Sequence, residues 1–191
     1  MKKIERKQTI KIPTNIKVFY CKKKRIILCK GPVNNKSLKI HKLLGICCKK
    51  QEITVVNKSK KKLTNSEQKK IYTLKRTTTS LIQQLLIETT ATTYQKLKLV
   101  GVGYRAFPVK NFENQLILLK LGYSHSIHFK IMRKTNIFCL KLTKLFVYGS
   151  SYQQVTSTVA KIRLNKVPEP YKGKGVLYDN EKIVIKEGKK V

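Results

Sequence analysis

Leu97-Lys98-Leu99-Val100-Gly101-Val102-Gly103-Tyr104-Arg105-Ala106 is the stretch that decides the fold. An alternating apolar run ends in Gly-x-Gly-x-x-Ala, the skeleton of a dinucleotide-binding turn. Such a turn works only where a helix follows and aims its N-terminal amides at a pyrophosphate, with an acid about 20 residues on to hold the ribose. Here Phe107-Pro108 and more strand follow, and no Asp or Glu occurs between Glu113 and Glu169. The glycines are therefore read as a strand bulge or a close backbone approach. A nucleotide-dependent enzyme resting on Gly101 and Gly103 lacks its acidic partner, and no cofactor is expected.

Downstream of this stretch, alternating apolar residues predict strands over 115–122, 126–132, 136–142 and 145–148. A helix over 151–164 follows, with Val155, Val159 and Ile162 on one face. Upstream, the same pattern predicts strands over 17–20, 25–30, 37–44 and 52–56, with turn signals at Lys22-Lys23-Lys24, Gly31-Pro32 and Asn34-Asn35. A polar run over 57–70, containing Lys58, Lys60, Lys61 and Lys62, leads into a helix over 74–93. Leu74, Leu81, Leu85 and Leu86 recur there at helical spacing. Strands followed by one helix, twice over, predict an α+β chain of two similar domains. Each is expected to be a small antiparallel sheet packed with one helix, the pair arising by duplication. The expected bounds are 1–93, 94–166 and a basic, extended C-terminal tail over 167–191.

The 191 residues include 43 Lys+Arg against 9 Asp+Glu, a formal net charge of +34, while 41% are hydrophobic. That apolar content is too high for a disordered polycation. Self-repulsion on this scale disfavours compaction unless a polyanion or salt compensates, so the expected partner is nucleic acid rather than a membrane. No run approaches the roughly 20 apolar residues of a membrane span. Between Glu113 and Glu169 the charged residues are all basic: Lys120, Lys130, Arg133, Lys134, Lys141, Lys144, Lys161, Arg163 and Lys166. A solvated face on a neutral protein would mix signs, so this half is expected to face phosphate. A mobile lysine point charge neutralises phosphate without demanding one geometry.

Arg occurs only at positions 6, 25, 76, 105, 133 and 163, and Ala only at 91, 106 and 160. Lys, Ile, Asn and Tyr have A/T-rich codons, which points to an organellar or reduced bacterial genome. The start, Met1-Lys2-Lys3-Ile4-Glu5-Arg6-Lys7-Gln8, has no apolar signal core and makes a poor presequence. Synthesis inside an organelle is the expectation. Cys21, Cys29, Cys47, Cys48 and Cys139 contain no Cys-x-x-Cys and are read as reduced thiols. His41, His125 and His128 share no metal-ligand spacing with them, so neither a metal site nor a catalytic constellation is expected.

Asn165-Lys166-Val167-Pro168-Glu169-Pro170-Tyr171-Lys172-Gly173-Lys174-Gly175-Val176 is the most specific signal. Its prolines favour extended chain, Gly173 and Gly175 let backbone approach a phosphate, Lys172 and Lys174 supply charge, and Tyr171 can stack on a base or sugar. It reads as a segment that lies along RNA.

Leu99 to Ala106, then Leu121-Gly122-Tyr123-Ser124-His125, then Pro168 to Gly175, in this order, resemble ribosomal protein six of the large subunit in its bacterial and organellar form. The resemblance is strong over 97–178. It is fainter before that, where Ile12-Pro13, Lys30-Gly31-Pro32 and Ser37-Leu38 resemble the family's opening hairpins. It implies two similar α+β domains, no enzymatic activity, and direct binding to large-subunit rRNA. The implied location is near the sarcin-ricin loop and the base of the factor-binding stalk. The implied rRNA contacts are Arg163, Lys166, Tyr171, Lys172, Gly173, Lys174 and Gly175. The implied partners are rRNA and neighbouring ribosomal proteins, without membrane or homo-oligomer. The Gly-Tyr-Ser-His stretch reads as structural or RNA-proximal. Asn165-Lys166-Val167 is less arginine-rich than the family's pattern, and residues 57–70 and 107–114 are more divergent. The expected location is a mitochondrial matrix ribosome, with plastid or AT-rich bacterial cytoplasm as alternatives. A free RNA-binding protein or RNA chaperone is the rival reading.

Overall fold

The computed structural model describes residues 9–49, 51–58, 64–109 and 116–188. The expectations at Met1 to Gln8, at Lys60, Lys61 and Lys62, and over the later part of 107–114 lie outside the described residues. The chain divides into two compact units, Met1–Ala91 and Thr92–Val191.

In the first unit, β1 (Thr9–Lys11), β6 (Glu52–Asn57) and β5 (Leu44–Cys48) form one antiparallel sheet in the order β1-β6-β5. Strands β2 (Lys17–Cys21), β3 (Ile26–Lys30) and β4 (Asn35–Lys39) form a second, and α1 (Asn65–Thr90) follows. The second unit repeats the plan. β7 (Thr93–Val100), β12 (Lys144–Gly149) and β11 (Thr135–Lys141) correspond to β1, β6 and β5. β8 (Arg105–Pro108), β9 (Leu116–Lys120) and β10 (Ile127–Lys130) correspond to β2, β3 and β4, and α2 (Tyr152–Leu164) corresponds to α1. Shared strand order is the structural signature of a repeat, and the α+β class with two similar sheet-and-helix units is as expected. Each unit carries two small sheets rather than one.

Each unit has its own core. Ile27, Cys29, Leu44, Ile53 and Ile82 are among the buried residues of the first. Leu97, Leu119, Leu121, Leu145, Val147, Val155, Val159 and Ile162 are among those of the second. The three apolar positions expected on the inner face of α2 are all there.

The element bounds differ from the sequence reading where local chemistry overrides periodicity. α1 begins at Asn65, nine residues before the expected start, because the Glu67 carboxylate accepts the Thr64 amide at 3.0 Å. This hydrogen bond, with that from the Thr64 hydroxyl, holds the Glu67 carboxyl below its usual pKa. Leu81 is exposed; Ile71 and Ile82 are buried in its place. The threonines of α1 are accommodated by donating to earlier carbonyls, Thr78 to Leu74 at 2.9 Å and Thr79 to Lys75 at 2.7 Å. The single strand expected over 37–44 is two strands, since the chain turns where the Leu44 amide meets the His41 carbonyl at 3.1 Å. That turn lets Ile40 and Leu44 both reach the core.

The segment after α2 is not extended throughout. Gly175–Tyr178 forms β13, which pairs antiparallel with β7 and makes the second unit's main sheet four-stranded, β11-β12-β7-β13. Val176 has no exposure, and burying its side chain against the core opposes solvation of a free tail. All five cysteines are free thiols. Burial, with a smaller contribution from Cys48, pushes the Cys29 thiol up to about 11.

Candidate nucleic-acid interface

The Gly-rich stretch forms a packing device rather than a nucleotide cradle. β7 ends at Val100, the chain turns with the Tyr104 amide on the Gly101 carbonyl at 3.3 Å, and β8 begins at Arg105. The Tyr104 ring is buried, and a Cβ on either Gly101 or Gly122 would lie 2.9 or 2.8 Å from it. The two glycines thus admit one aromatic ring that joins the first motif to the second. Of the two glycines in the first motif, Gly101 makes the expected close approach, to a side chain, whereas Gly103 turns the chain at φ +74° with nothing within 4 Å of a Cβ there.

The second motif reaches the tail through Tyr123. Its hydroxyl donates to the Asn165 carbonyl at 2.9 Å, its ring stacks on His125 at 5.7 Å, and Lys166 Nζ sits 4.3 Å from the ring centroid. Asn165 caps α2, its side-chain amide donating to the carbonyls of Lys161 and Ile162 at 3.2 and 3.3 Å. Lys161 and Arg163 in the last turn complement the negative end of the helix dipole.

From Lys166 the chain folds into a closed loop. The Val176 amide donates to the Lys166 carbonyl at 3.0 Å, Glu169 to Lys174 at 2.9 Å, and Gly173 to Glu169 at 2.9 Å. Pro168 and Pro170 lie within this loop, and the chain there is turned rather than held extended as the prolines led the sequence reading to expect. Gly173 turns the chain with φ +66°, and Gly175 lies so close to Pro168 that a Cβ would meet its Cα at 2.5 Å. Tyr171 and Lys172 are exposed at the tip, with Tyr171 54% accessible, and Lys174 is half-buried on the return. The Lys186 amide closes on the Pro170 carbonyl at 2.9 Å, bringing the following segment alongside.

Of the sequence-predicted residues, Lys166, Tyr171, Lys172, Gly173, Lys174 and Gly175 are thus gathered in one loop. Arg163 stands apart in chemistry. Its guanidinium grips Glu181 through Nη2 at 2.6 Å and Nε at 3.3 Å, and it faces the Tyr178 ring at 5.4 Å. Burial acts to raise the Glu181 pKa, but the hydrogen bonds from Arg163 and the Tyr178 amide outweigh it and leave the group lowered. Arg163 therefore holds the segment after β13 in place. Tyr123, Asn165 and Glu181 were not singled out as loop supports. An acid 18 residues beyond Arg163, one of several in that segment, gives a sequence pattern nothing to recognise.

Beneath the loop lies an open concavity of about 480 Å³, walled by Tyr104, Tyr123, Lys166, Glu169 and Lys174 among others. It offers aromatic edges and lysine charge, without a nucleophile–base pair. Among the described residues no group of three or more His, Cys, Asp or Glu could hold a metal ion.

Residues 100–179, which contain the two glycine motifs and the loop, match the family model of ribosomal protein L6. Across nearly the whole chain, the large ribosomal subunit protein uL6m of Prototheca wickerhamii is 33% identical over 188 residues, covering 95% of this chain and 94% of the relative. The chain belongs to the L6 family. Large ribosomal subunit protein uL6 of Mycoplasmoides gallisepticum is 35% identical over 182 residues, 95% of this chain and 93% of that one. With uL6 of Halorhodospira halophila the identity is 44% over 96 residues, half of this chain and 52% of the relative. The L6 motifs therefore cluster in the half that holds Tyr104, Tyr123 and the 166–176 loop. L6 proteins are structural components of the ribosome and not enzymes, which agrees with the expected lack of catalysis.

Proposed function

We propose that this L6-family chain is a structural constituent of the large ribosomal subunit and binds its rRNA directly. The loop from Lys166 to Val176 carries this reading: it presents Tyr171 and Lys172 outward from a backbone closed by Glu169, Gly173 and Lys174 hydrogen bonds. A preorganised loop loses little conformational entropy when it meets RNA. Lys166 and Lys174 add charge within it, and Arg163 sets its exit through Glu181. The net charge of +34 supplies sequence-independent affinity through counterion release. The proposed place is the family's, near the sarcin-ricin loop and the base of the factor-binding stalk, where the chain braces the surface on which translational GTPases dock. It acts as one copy among neighbouring ribosomal proteins. Similarity to uL6m and to bacterial uL6 supports an organellar or bacterial ribosome, of which a mitochondrial one is the proposed setting.

The test is the full chain with Lys172→Glu and Lys174→Glu, expressed in place of the natural protein. Gradient sedimentation at low salt and at about 0.5 M salt, where non-specific phosphate binding is lost, reads the result. Wild type staying with the large subunit in both conditions, and the variant depleting that subunit, are expected. Normal subunit yield from the variant refutes the role of the loop. A wild-type protein that leaves the subunit at high salt favours the free RNA-binding protein instead.

A further inference from the structure

The second unit carries an aromatic surface that the L6 reading does not use. Strand alternation sends Leu145 and Val147 of β12, Leu97 and Leu99 of β7, and Ile137 of β11 into the core. The opposite face of the same sheet therefore presents Phe146 and Tyr148, Tyr94 with Lys96, and Phe138. Register places Phe138 opposite Phe146, Tyr148 opposite Tyr94, and Lys96 opposite Phe146. The four rings form a continuous chain of contacts. Phe138 and Tyr148 lie 5.6 Å apart and parallel within 1°, Phe146 and Tyr148 5.9 Å apart, and Tyr94 and Phe146 5.3 Å apart. Tyr94 is 60% exposed and Phe138 54%.

A solvated sheet face is ordinarily polar, and ring-against-ring contact alone does not explain leaving Tyr94 and Phe138 more than half exposed beside the partly buried Phe146 and Tyr148. Contiguous exposed apolar surface marks an interaction site. The cations beside it indicate what kind. Lys96 Nζ lies 6.0 Å from the Tyr94 ring centroid, and Lys144 stands opposite Lys98 on the neighbouring strand. Asp179 sits at the edge of the face, where Lys98 holds it at 2.6 Å and lowers its pKa through that hydrogen bond, with Lys96 and Lys144 adding to the effect. Three lysines against one acid leave the rim positive. An aromatic cluster with a cationic rim matches unpaired nucleotides, whose bases stack on the rings at its exposed ends while their phosphates meet lysine. A duplex buries its base faces and has nothing to offer such a cluster.

We propose that the outer face of the β11-β12-β7-β13 sheet, built on Tyr94, Phe138, Phe146 and Tyr148, binds an unpaired stretch of RNA by base stacking. This rests on the reading of the chain as an rRNA-binding protein and adds a second contact, of a different kind, on residues outside the 166–176 loop.

The experiment uses the full chain with a short unstructured oligoadenylate RNA and, in parallel, a duplex RNA of equal charge, at about 0.5 M salt. Zero-length photo-crosslinking with peptide mapping reads the contact directly on the wild-type protein. Crosslinks on Tyr94, Phe138, Phe146 or Tyr148, and single strand bound in preference to duplex, are expected. Phe138→Thr with Tyr148→Thr, confirmed folded by circular dichroism, should weaken single-strand binding by roughly ten- to a hundredfold. Lys172→Glu with Lys174→Glu should leave those crosslinks in place. Crosslinks confined to the loop, with equal affinity for the aromatic variant, overturn this inference and leave rRNA binding standing. Crosslinking of these rings to a protein in isolated subunits overturns it as well. If neither pair of substitutions changes RNA binding, both readings fall.

Discussion

Replacing Gly175 with alanine tests how the loop is anchored. A Cβ there would lie 2.5 Å from Pro168 Cα and 2.7 Å from Pro168 N, backbone atoms that cannot rotate away. Gly175 also adopts φ +156°, a region open essentially to glycine alone that costs an L-residue at least about 1 kcal/mol. Overpacking against a fixed neighbour adds about 1–3 kcal/mol, giving about 2–4 kcal/mol in all. In a unit of this size each kcal/mol lowers Tm by about 4–8 °C, so a fall of roughly 8–32 °C is expected in the transition of the second unit. The physical event is displacement of β13 from β7, with loss of the Val176 to Lys166 hydrogen bond that closes the loop. Gly173→Ala is the matched control. It shares the positive φ, at +66°, but its Cβ would meet nothing within 4 Å, so only the conformational cost of about 1 kcal/mol applies. Thermal melting of the full chain, followed by circular dichroism and by hydrogen exchange at the Val176 amide, separates the two. Equal effects of the two substitutions, or a Gly175→Ala chain melting within about 2 °C of wild type, refute the packing argument.

Further outcomes follow from charge and burial. Removing the Glu88 carboxylate as Glu88→Gln leaves the Lys36 ammonium without its buried counter-ion beside Gln84. Urea unfolding of the first unit should then show a loss of about 2–4 kcal/mol, and an unchanged midpoint would contradict the assignment. At +34 the isolated chain should gain Tm on adding moderate salt, because screening relieves self-repulsion; a fall on addition of salt would count against this. The lowered pKa of Glu181 means that its contribution is complete above the ordinary carboxylate value of 4.5 and is lost as pH falls through the lower folded value. Exchange at the Tyr178 amide should accelerate in that acid range in wild type but show no such step in Glu181→Gln, and identical pH profiles would exclude the linkage.

Periodicity made α2 legible because Val155, Val159 and Ile162 are strong apolar markers on a short helix whose one buried face must be apolar. The same reasoning misplaced the start of α1. Its residues 65–70 are polar and exposed, and their signal is the Thr64-x-x-Glu67 cap rather than a hydrophobic stripe. Leu81 shares the spacing of its apolar neighbours yet faces solvent, since Ile71 and Ile82 set the buried face. Strand breaks at His41 and at Gly101 fall inside stretches where apolar residues keep recurring, and alternation alone cannot show that the chain turns. The loop residues from Lys166 to Gly175 were legible as chemistry through their Pro, Gly and Lys pattern. Their supports were not, because Tyr123, Asn165 and Glu181 act through contacts with residues distant in the chain.

The sequence by itself determined the charge, the two-unit plan and the motifs of the L6 family, since composition and local spacing depend on neighbours along the chain. Only the tertiary structure decided that Gly101 and Gly122 admit one ring of Tyr104, and that the tail turns back as β13. It also decided that Tyr94, Phe138, Phe146 and Tyr148 meet on one open face. Each depends on register across strands, where a shift of one residue reverses every side chain and which no single strand encodes.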